Sequence, residues 1–335
     1  MKIKTNKLLK ILRLLRPGLA QKAIIEQTKH FIFTGTNIIT YNDEVCISYP
    51  FESDFVYSVP ADQFLKILSN IKDEEIDLAV KDESLNLKTK KTKAKFTTEV
   101  DNQAAETADE ITNKKIRFRK LPEDFMEAIK LCVFSTSKDM SVDQIHLTGV
   151  YADGNNVVGS DDFRISHYEM KKELKDSFLI PATSVSSLVS FEIEKYGLKD
   201  GWVYFKTKDG ILFCSRLIDS DYPDPLEFFD FKGMRVRLPE DLKEIVDNAA
   251  ILAEGDFDVD KKINVRIEDG KIKCKGESDV GWIETNTKIK FKKSAEFTIN
   301  PYFFSEVLNK TDTAVIGEDK ILFQSDNFKH LIALF

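Results

Sequence analysis

The chain has 335 residues, more than one hydrophobic core usually serves, so two or three domains are expected. A charged fraction of 31% and a hydrophobic fraction of 42% fit a water-soluble globular protein, and a formal net charge of -7 argues against a surface coated in basic residues while leaving room for a local basic face. The four cysteines (Cys46, Cys132, Cys214, Cys274) are far apart with no Cys-x-x-Cys, which speaks against a zinc site or a disulfide framework and for a reducing compartment.

The N-terminus carries Lys2, Lys4, Lys7 and Lys10 but no continuous apolar stretch, so a secretory signal is not expected, and no run approaches the ~18 apolar residues of a membrane span. Residues 3–16 form a predicted helix with Thr5 or Asn6 as N-cap and Pro17-Gly18 as stop. Leu8, Leu12 and Leu15 lie on one apolar face, and Lys7, Lys10, Arg13 and Arg16 form a basic stripe on much of the rest. Taken alone, that stripe is a solvated face. Strands are predicted at His30–Thr34, Asn37–Tyr41, Val45–Tyr49 and Phe55–Val59, then a helix from Pro60, then strands at Ile76–Val80, Leu85–Thr89 and Lys95–Val100. Asp101–Thr112 is polar and acidic and is predicted to be an exposed loop at a domain boundary.

Ile116–Arg119 is a predicted strand leading into Leu121-Pro122-Glu123-Asp124 and a helix to about Phe134. Strands follow at Gln144–Tyr151, Asn156–Ser160 and Arg164–Met170, the first two around an Asp153-Gly154-Asn155 turn. Pro181 opens another helix after a strand, and Trp202–Lys206 with Ile211–Leu217 makes a hairpin. Met234–Leu238 enters Pro239-Glu240-Asp241 and a helix. Hairpin strands Ile263–Glu268 and Lys271–Gly276, a strand-rich Trp282–Phe291, and Glu296–Ile299 lead to Pro301 and a last helix, with closing strands at Ala314–Gly317, Ile321–Gln324 and His330–Phe335. Pro at a helix start costs no hydrogen bond, and acids there favour the positive end of the dipole.

The strand-Pro-helix prolines, Pro60, Pro122, Pro181, Pro239 and Pro301, are separated by 62, 59, 58 and 62 residues. One step back from Pro60 reaches the first helix. The chain therefore reads as six copies of a unit of about 60 residues, each one helix plus several antiparallel strands. A single unit cannot bury both its helix and its sheet, so pairing is expected: three α+β domains over 1–115, 116–231 and 232–335, each two βαβββ-like half-repeats.

Ser215-Arg216-Leu217-Ile218-Asp219-Ser220-Asp221-Tyr222-Pro223-Asp224, directly after a hairpin, resembles the Ser-Arg/Lys-Leu-Ile/Val-Asp-Gly-x-Phe/Tyr-Pro-Asp-Tyr pattern of the bacterial sliding clamps, the β subunits of replicative DNA polymerase. Ser160-Asp161-Asp162-Phe163-Arg164-Ile165 is similar to that family's Thr-Asp-Gly-His-Arg-Leu, and Leu147-Thr148-Gly149 to its Leu-Asn-Gly. The departures are Ser220 for Gly, Pro225 for Tyr, Asp162-Phe163 for Gly-His, and a proline-free end, Leu331 to Phe335. They point to a divergent clamp, of a cell or of a phage or other mobile element.

The resemblance implies the DNA clamp fold: a homodimeric ring of three domains per chain, helices lining the hole and antiparallel sheets outside. It implies a cytoplasmic, non-enzymatic processivity factor without cofactor or metal that encircles duplex DNA regardless of sequence. Cations on hole-facing helices then serve phosphate contact: Lys7, Lys10, Arg13 and Arg16 foremost, with Lys66, Lys72, Lys130, Lys243 and Lys310 more thinly spread. DNA polymerase and a clamp loader would dock by short linear motifs in a cleft carried over to Leu147, Ser160, Asp162, Phe163, Arg164, Ile165, Pro223, Phe228, Leu331, Ile332 and Ala333. The competing assignment puts Leu147, Ile165 and Phe228 in the core. Removal of Leu331–Phe335 is expected to weaken polymerase binding without unfolding.

Enzymatic alternatives have little support. His30, His146, His167 and His330 are scattered and read as satisfied sheet residues, and no nucleophile elbow, phosphate loop or zinc-protease helix motif occurs. Asp161, Asp162, Asp219, Asp221 and Asp224 could converge on Mg²⁺ for phosphodiester hydrolysis. A repeat-built structural protein is a further alternative, but it has no need of the basic first helix. A ring dimer and a ring trimer both satisfy a six-domain ring; three domains per chain favour the dimer.

Overall fold

A computed structural model describes residues 1–21, 26–97 and 103–335. In chain order the elements are β1 (Lys2–Lys4), α1 (Thr5–Leu15), β2 (His30–Thr34), β3 (Asn37–Tyr41), β4 (Val45–Pro50), β5 (Val56–Pro60), α2 (Ala61–Asn70), β6 (Glu75–Lys81), β7 (Ser84–Lys88), β8 (Lys93–Thr97), α3 (Gln103–Thr112), β9 (Arg119–Lys120) and α4 (Phe125–Cys132). Then come β10 (Gly149–Asp153), β11 (Asn156–Ser160), β12 (Arg164–Glu169), β13 (Phe178–Pro181), α5 (Ala182–Leu188), β14 (Ile193–Lys199), β15 (Trp202–Thr207), β16 (Leu212–Arg216), β17 (Met234–Arg237) and α6 (Leu242–Ala250). The chain closes with β18 (Ile263–Glu268), β19 (Lys271–Ser278), β20 (Gly281–Lys288), β21 (Ala295–Ile299), α7 (Pro301–Leu308), β22 (Thr313–Ile316), β23 (Lys320–Ser325) and β24 (Phe328–Ala333).

These elements form two compact units, Met1–Met126 with Ile180–Asp219, and Glu127–Leu179 with Ser220–Phe335. The first holds a four-stranded sheet, β1-β6-β7-β8, and an eight-stranded sheet, β5-β2-β3-β4-β16-β15-β14-β9. The longer sheet is two runs of four strands joined antiparallel at β4 and β16, with Cys214 opposite Cys46. Leu8, Leu12 and Leu15 of α1 are wholly buried, each stabilising the fold by about 2 kcal/mol. The remaining turns of α1 point Lys7, Lys10 and Arg13 to solvent. Phe33, Phe64 and Phe96 meet edge-on beneath α2, centroids 6.5 and 5.3 Å apart along the chain of rings.

The second unit repeats the plan. Its eight-stranded sheet, β13-β10-β11-β12-β24-β23-β22-β17, is joined at β12 and β24, and its four-stranded sheet runs β20-β19-β18-β21. Helices pack closely on strands here because two glycines give way to them. A Cβ on Gly159 of β11 would stand 2.2 Å from the Cys132 carbonyl oxygen at the end of α4, and one on Gly276 of β19 would stand 2.0 Å from that of Ala249 at the end of α6. No helix among the described residues is long and apolar enough to cross a membrane.

Several local expectations are corrected. Residues 103–112 are not a loop but α3, whose Ala104, Ala108 and Ile111 recur at helical spacing and pack on β3, β4 and β16. Two small alanines hide the periodicity that a larger apolar stripe would display; Asp101 and Asn102, and the last three residues of the predicted Lys95–Val100 strand, lie outside the described residues. Gln144–Tyr151 is not one strand: Val142–Thr148 is 3-10 helix and only Gly149 onward is extended. The α1 N-cap is Lys4, without a side-chain cap, because the Thr5 hydroxyl donates instead to the Asp73 carbonyl oxygen, 2.7 Å.

All five prolines sit at strand-to-helix junctions, in three ways. Pro60 and Pro181 end a strand and cap α2 and α5, while Pro301 is the first residue of α7 behind the Asn300 cap. Pro122 and Pro239 precede α4 and α6 by one turn, their carbonyls accepting from Phe125 and Leu242 N–H at 3.2 and 3.1 Å. Their paired acids therefore occupy that turn, with Asp241 as the α6 cap, and the first helical turns carry Glu127 and Glu244.

Candidate functional site

Two surfaces gather the predicted residues, one in each unit. In the first, Lys7, Lys10, Arg13, Arg16, Lys66 and Lys72 are all exposed. α1 and α2 lie side by side, and Arg13, Arg16 and Lys66 border a shared open groove with Asp62, Leu65, Ser69 and Asn70. None of these six cations forms an ion pair with a described residue. Unpaired cations on two adjacent helices keep their charge for an external anion. The second unit is less uniform. Lys130 is exposed on α4, Lys243 is tied to Asp247 at 2.6 Å, and the Lys310 ammonium sits 6.0 Å from the Phe134 ring centre. In the first unit, α5 carries no basic residue.

The second surface centres on Arg164, at the start of β12. The turn before it is built by Asp161, whose Oδ1 accepts the N–H groups of Phe163 and Arg164, each 2.9 Å. Its Oδ2 holds Arg164 Nε at 3.1 Å, and Arg164 Nη1 reaches Glu306 of α7. The guanidinium lies 4.0 Å from the Phe303 ring centre and 5.6 Å from that of Phe134. Burial pushes the Asp161 carboxyl above its usual range, while Arg164 and the two backbone donors pull it down. Phe163 faces the same group, 6.2 Å from Phe303 between ring centres. β24 runs alongside: Arg164 pairs with Ile332, Ile165 with Leu331, and Ala333 N–H donates to the Phe163 carbonyl at 2.9 Å.

Beside this lies an aromatic brace. Ser160 Oγ and the Tyr222 hydroxyl are 2.6 Å apart, and the Tyr222 ring stacks on Tyr151 with centres 5.0 Å apart. That contact fixes the loop carrying Pro223, which is exposed. Asp162 is exposed and accepts from Gln144 Nε2 at 3.2 Å.

The structure thus brings together Asp161, Phe163, Arg164, Ile165, Leu331, Ile332 and Ala333. Ile332 is fully buried and Leu331 nearly so, so both support the strand and only Ala333 among the three meets solvent. Removing residues 331–335 would therefore strip core from the unit, contrary to the expectation that it weakens polymerase binding without unfolding. Leu147 is half-buried on the 3-10 segment, its carbonyl accepting from Ser137 N–H at 2.8 Å. Phe228 is 47% exposed and is not core. Phe134, Phe303, Glu306 and Tyr222 are members that sequence reasoning missed; the first three come from segments without a motif.

The acid cluster does not form a cation cage: Asp161 is committed to Arg164, and among the described residues no group of three or more His, Cys, Asp or Glu is placed to hold a metal ion. Three of the histidines are held by a neighbour through one ring nitrogen, while His167 Nδ1 and His330 Nε2 are buried without a hydrogen-bond partner, so the expectation of fully satisfied histidines is corrected for these two. His30 Nδ1 lies 3.1 Å from Ser58 Oγ, His167 Nε2 lies 2.8 Å from Asn156 Oδ1, and His330 Nδ1 lies 2.8 Å from Ser166 Oγ. His146, on 3-10 helix, sits edge-on to Tyr222 at 6.1 Å.

No family model matches the chain. It is 24% identical over 225 residues to the Beta sliding clamp of Mycoplasma genitalium, covering 60% of this chain and 59% of that protein. The fold comparison spans far more. The DNA polymerase III subunit beta of Pseudomonas aeruginosa superposes with a TM-score of 0.82 at 15% identity, covering 100% of this chain and 99% of that one. The Helicobacter pylori beta clamp bound to a DNA ligase peptide gives 0.81 at 18% identity over 100% and 99%, and the Streptococcus pneumoniae beta chain 0.82 at 16% over 100% and 98%.

Proposed function

We propose that this chain, which has the bacterial sliding clamp fold along its whole length, is itself a divergent DNA sliding clamp. In this reading it is a non-enzymatic processivity factor that encircles duplex DNA as a homodimer and works in the cytoplasm of a bacterial or phage-infected cell. Three domains, 1–115, 116–231 and 232–335, make up each chain. The observation that carries the DNA role is the groove between α1 and α2, where Arg13, Arg16 and Lys66 stand without an ionic partner among the described residues, with Lys7 and Lys10 exposed further along α1 and Lys72 just beyond α2. Such a face contacts phosphates irrespective of sequence and permits sliding. Each four-stranded sheet also ends on a strand with one described neighbour, β8 and β20, to which a second copy can add.

The Arg164 surface is the proposed partner cleft. The Helicobacter pylori clamp is bound to a ligase peptide, and a polymerase and a clamp loader would dock here by similar short motifs. The exposed Pro223 and Phe228, half-buried Phe163 and Leu147, and the rigid Arg164 cluster offer apolar anchoring beside fixed polar groups.

Retention on DNA topology decides the reading. The protein is loaded with a clamp loader on closed circular DNA, which is then cut. Loss from the linear product with retention on the uncut circle is expected. Equal retention on both forms would falsify topological encirclement.

A further inference from the structure

Four side chains stand in one row across the eight-stranded sheet of the first unit. Tyr41 of β3 is opposite Cys46 of β4, Cys46 is opposite Cys214 of β16, and Cys214 is opposite Tyr204 of β15. The two cysteines, 168 positions apart in sequence, face one another across the ladder and have no exposed surface. The Tyr204 hydroxyl beside them is buried without a partner. Burial, and then the contact with Cys46, pushes the Cys214 thiol well above its usual range. Facing residues on antiparallel strands have Cα atoms about 4.5–5.5 Å apart, within the ~4.4–6.8 Å that a disulfide spans. Cys132 and Cys274 are equally buried but have no cysteine facing them.

The pair sits at the seam where the two four-strand runs join. Arg216 N–H donates to the Glu44 carbonyl at 2.8 Å, two residues further along the same ladder. This places Cys46 and Cys214 at a hydrogen-bonded pair, the wider kind in an antiparallel ladder. A disulfide closed there draws the strands together, and strained disulfides are the readily reduced ones. What covers the pair is α3, which contributes Ala104, Ala108 and Ile111 to the same cluster. That is a small contact, and a helix so lightly held is easier to lift than any strand of the sheet.

We propose that Cys46 and Cys214 are an oxidisable dithiol that closes into a reversible cross-strand disulfide when α3 lifts. With a peroxide as oxidant, one thiolate attacks a peroxide oxygen, giving a sulfenic acid and hydroxide. The second thiol then displaces the sulfenic hydroxyl as water. In total two thiols and one hydrogen peroxide give one disulfide and two waters. The seam is stapled by oxidation and released by a thiol reductant.

The full-length protein is treated with hydrogen peroxide, its remaining thiols are alkylated in denaturant, and its peptides are mapped by mass spectrometry without reduction. Cys46 and Cys214 peptides are expected to be joined, with two hydrogens lost, and to separate on addition of glutathione, while Cys132 and Cys274 remain alkylated. Linkage that appears only after denaturation, or oxidation spread evenly over the four cysteines, overturns the proposal. Ala108→Asp, which loosens α3, should speed the linkage at least tenfold; an unchanged rate in the folded variant overturns the role given to α3. If that variant does not fold, hydrogen exchange of α3 in the native chain decides the point: opening slower than the linkage itself overturns the gate.

Discussion

Arg164 lies over Phe303 with its guanidinium carbon 4.0 Å from the ring centre, while Asp161 grips the same guanidinium from the side at 3.1 Å. A flat cation on an aromatic face and in a carboxylate fork is a use that arginine serves and lysine does not. Arg164→Ala leaves the largely buried Asp161 with its two backbone donors but no cation, and should destabilise the second unit by about 2–4 kcal/mol. Arg164→Lys should recover less than half of that loss. Denaturant unfolding of the three proteins checks both, and wild-type stability in the Lys variant would show that only the charge matters.

Phe163 separates recognition from folding better than a C-terminal truncation does. It is half-buried, and its truncation removes one ring packed near Phe303. Phe163→Ala should lower polymerase-peptide affinity about tenfold, a loss of ~1.4 kcal/mol in binding, with the circular dichroism of the wild type retained. Removal of 331–335 should lower affinity and stability together, because Leu331 and Ile332 are buried. Titration calorimetry on both variants, alongside their melting curves, makes the comparison.

Binding to phosphates should depend on the unpaired cations and little on the paired one. Replacing Lys7, Lys10, Arg13 and Arg16 by alanine should weaken DNA retention and flatten its salt dependence, the slope falling by ~0.9 for each phosphate that is no longer neutralised. Lys243→Ala should change neither by much, since Lys243 is held by Asp247 at 2.6 Å. A salt series on loaded circular DNA distinguishes them; equal effects would place the DNA-facing charge elsewhere.

Acid should destabilise the second unit through its histidines. Burial, with Lys329 next, lowers His167 to about 4, and burial, with Arg164 next, holds the enclosed His330 well below its usual range. The unfolded chain takes up a proton near pH 6.5 that the folded chain refuses until about pH 4 at His167. Stability from this source is complete above pH 6.5 and is lost as pH falls through that window, by ~1.4 kcal/mol per pH unit. His167→Gln, which can still bond Asn156, should flatten the slope between pH 6.5 and 4. Urea unfolding at several pH values measures it, and an unchanged slope would assign the acid sensitivity to other groups.

Backbone packing sets a sharper limit at two glycines. A methyl on Gly159 or Gly276 would meet a carbonyl oxygen at 2.2 or 2.0 Å, and neither partner is a side chain that can swing away. Gly159→Ala and Gly276→Ala should each cost about 2–3 kcal/mol. Thermal unfolding tests this directly, and wild-type melting in either variant would mean that helix and strand separate easily there.

The architecture was largely legible because its signals are local and repeated. Five prolines at near-constant spacing mark real strand-to-helix junctions, and the Leu8–Leu15 stripe faces the core as its period requires. α3 was illegible because alanine contributes so little to an apolar stripe, although Ala104, Ala108 and Ile111 carry the right spacing. The candidate cleft was legible only in part. Asp161 and Arg164 sit three residues apart within a recognisable motif, but Glu306 is 142 positions from Arg164 and Phe303 belongs to another helix. Those partners meet only after β12 and β24 pair, and no local pattern announces that. The Cys46–Cys214 pair is hidden for the same reason.

The close approach at Gly159 and Gly276 also fixes a length. Each glycine follows its carbonyl partner, Cys132 or Ala249, by 27 residues, although the intervening chain differs. In one copy that chain holds two 3-10 segments and β10; in the other it holds β18 and the exposed stretch around Phe257. The two ends of such a loop are pinned by packing, so its contents are free while its ends are not. A peptide tag grafted between Asp256 and Phe257, ahead of the Asp258 and Val259 carbonyls that hold the Asn300 amide at 2.8 and 3.1 Å, would extend the loop outward and leave both pins in place.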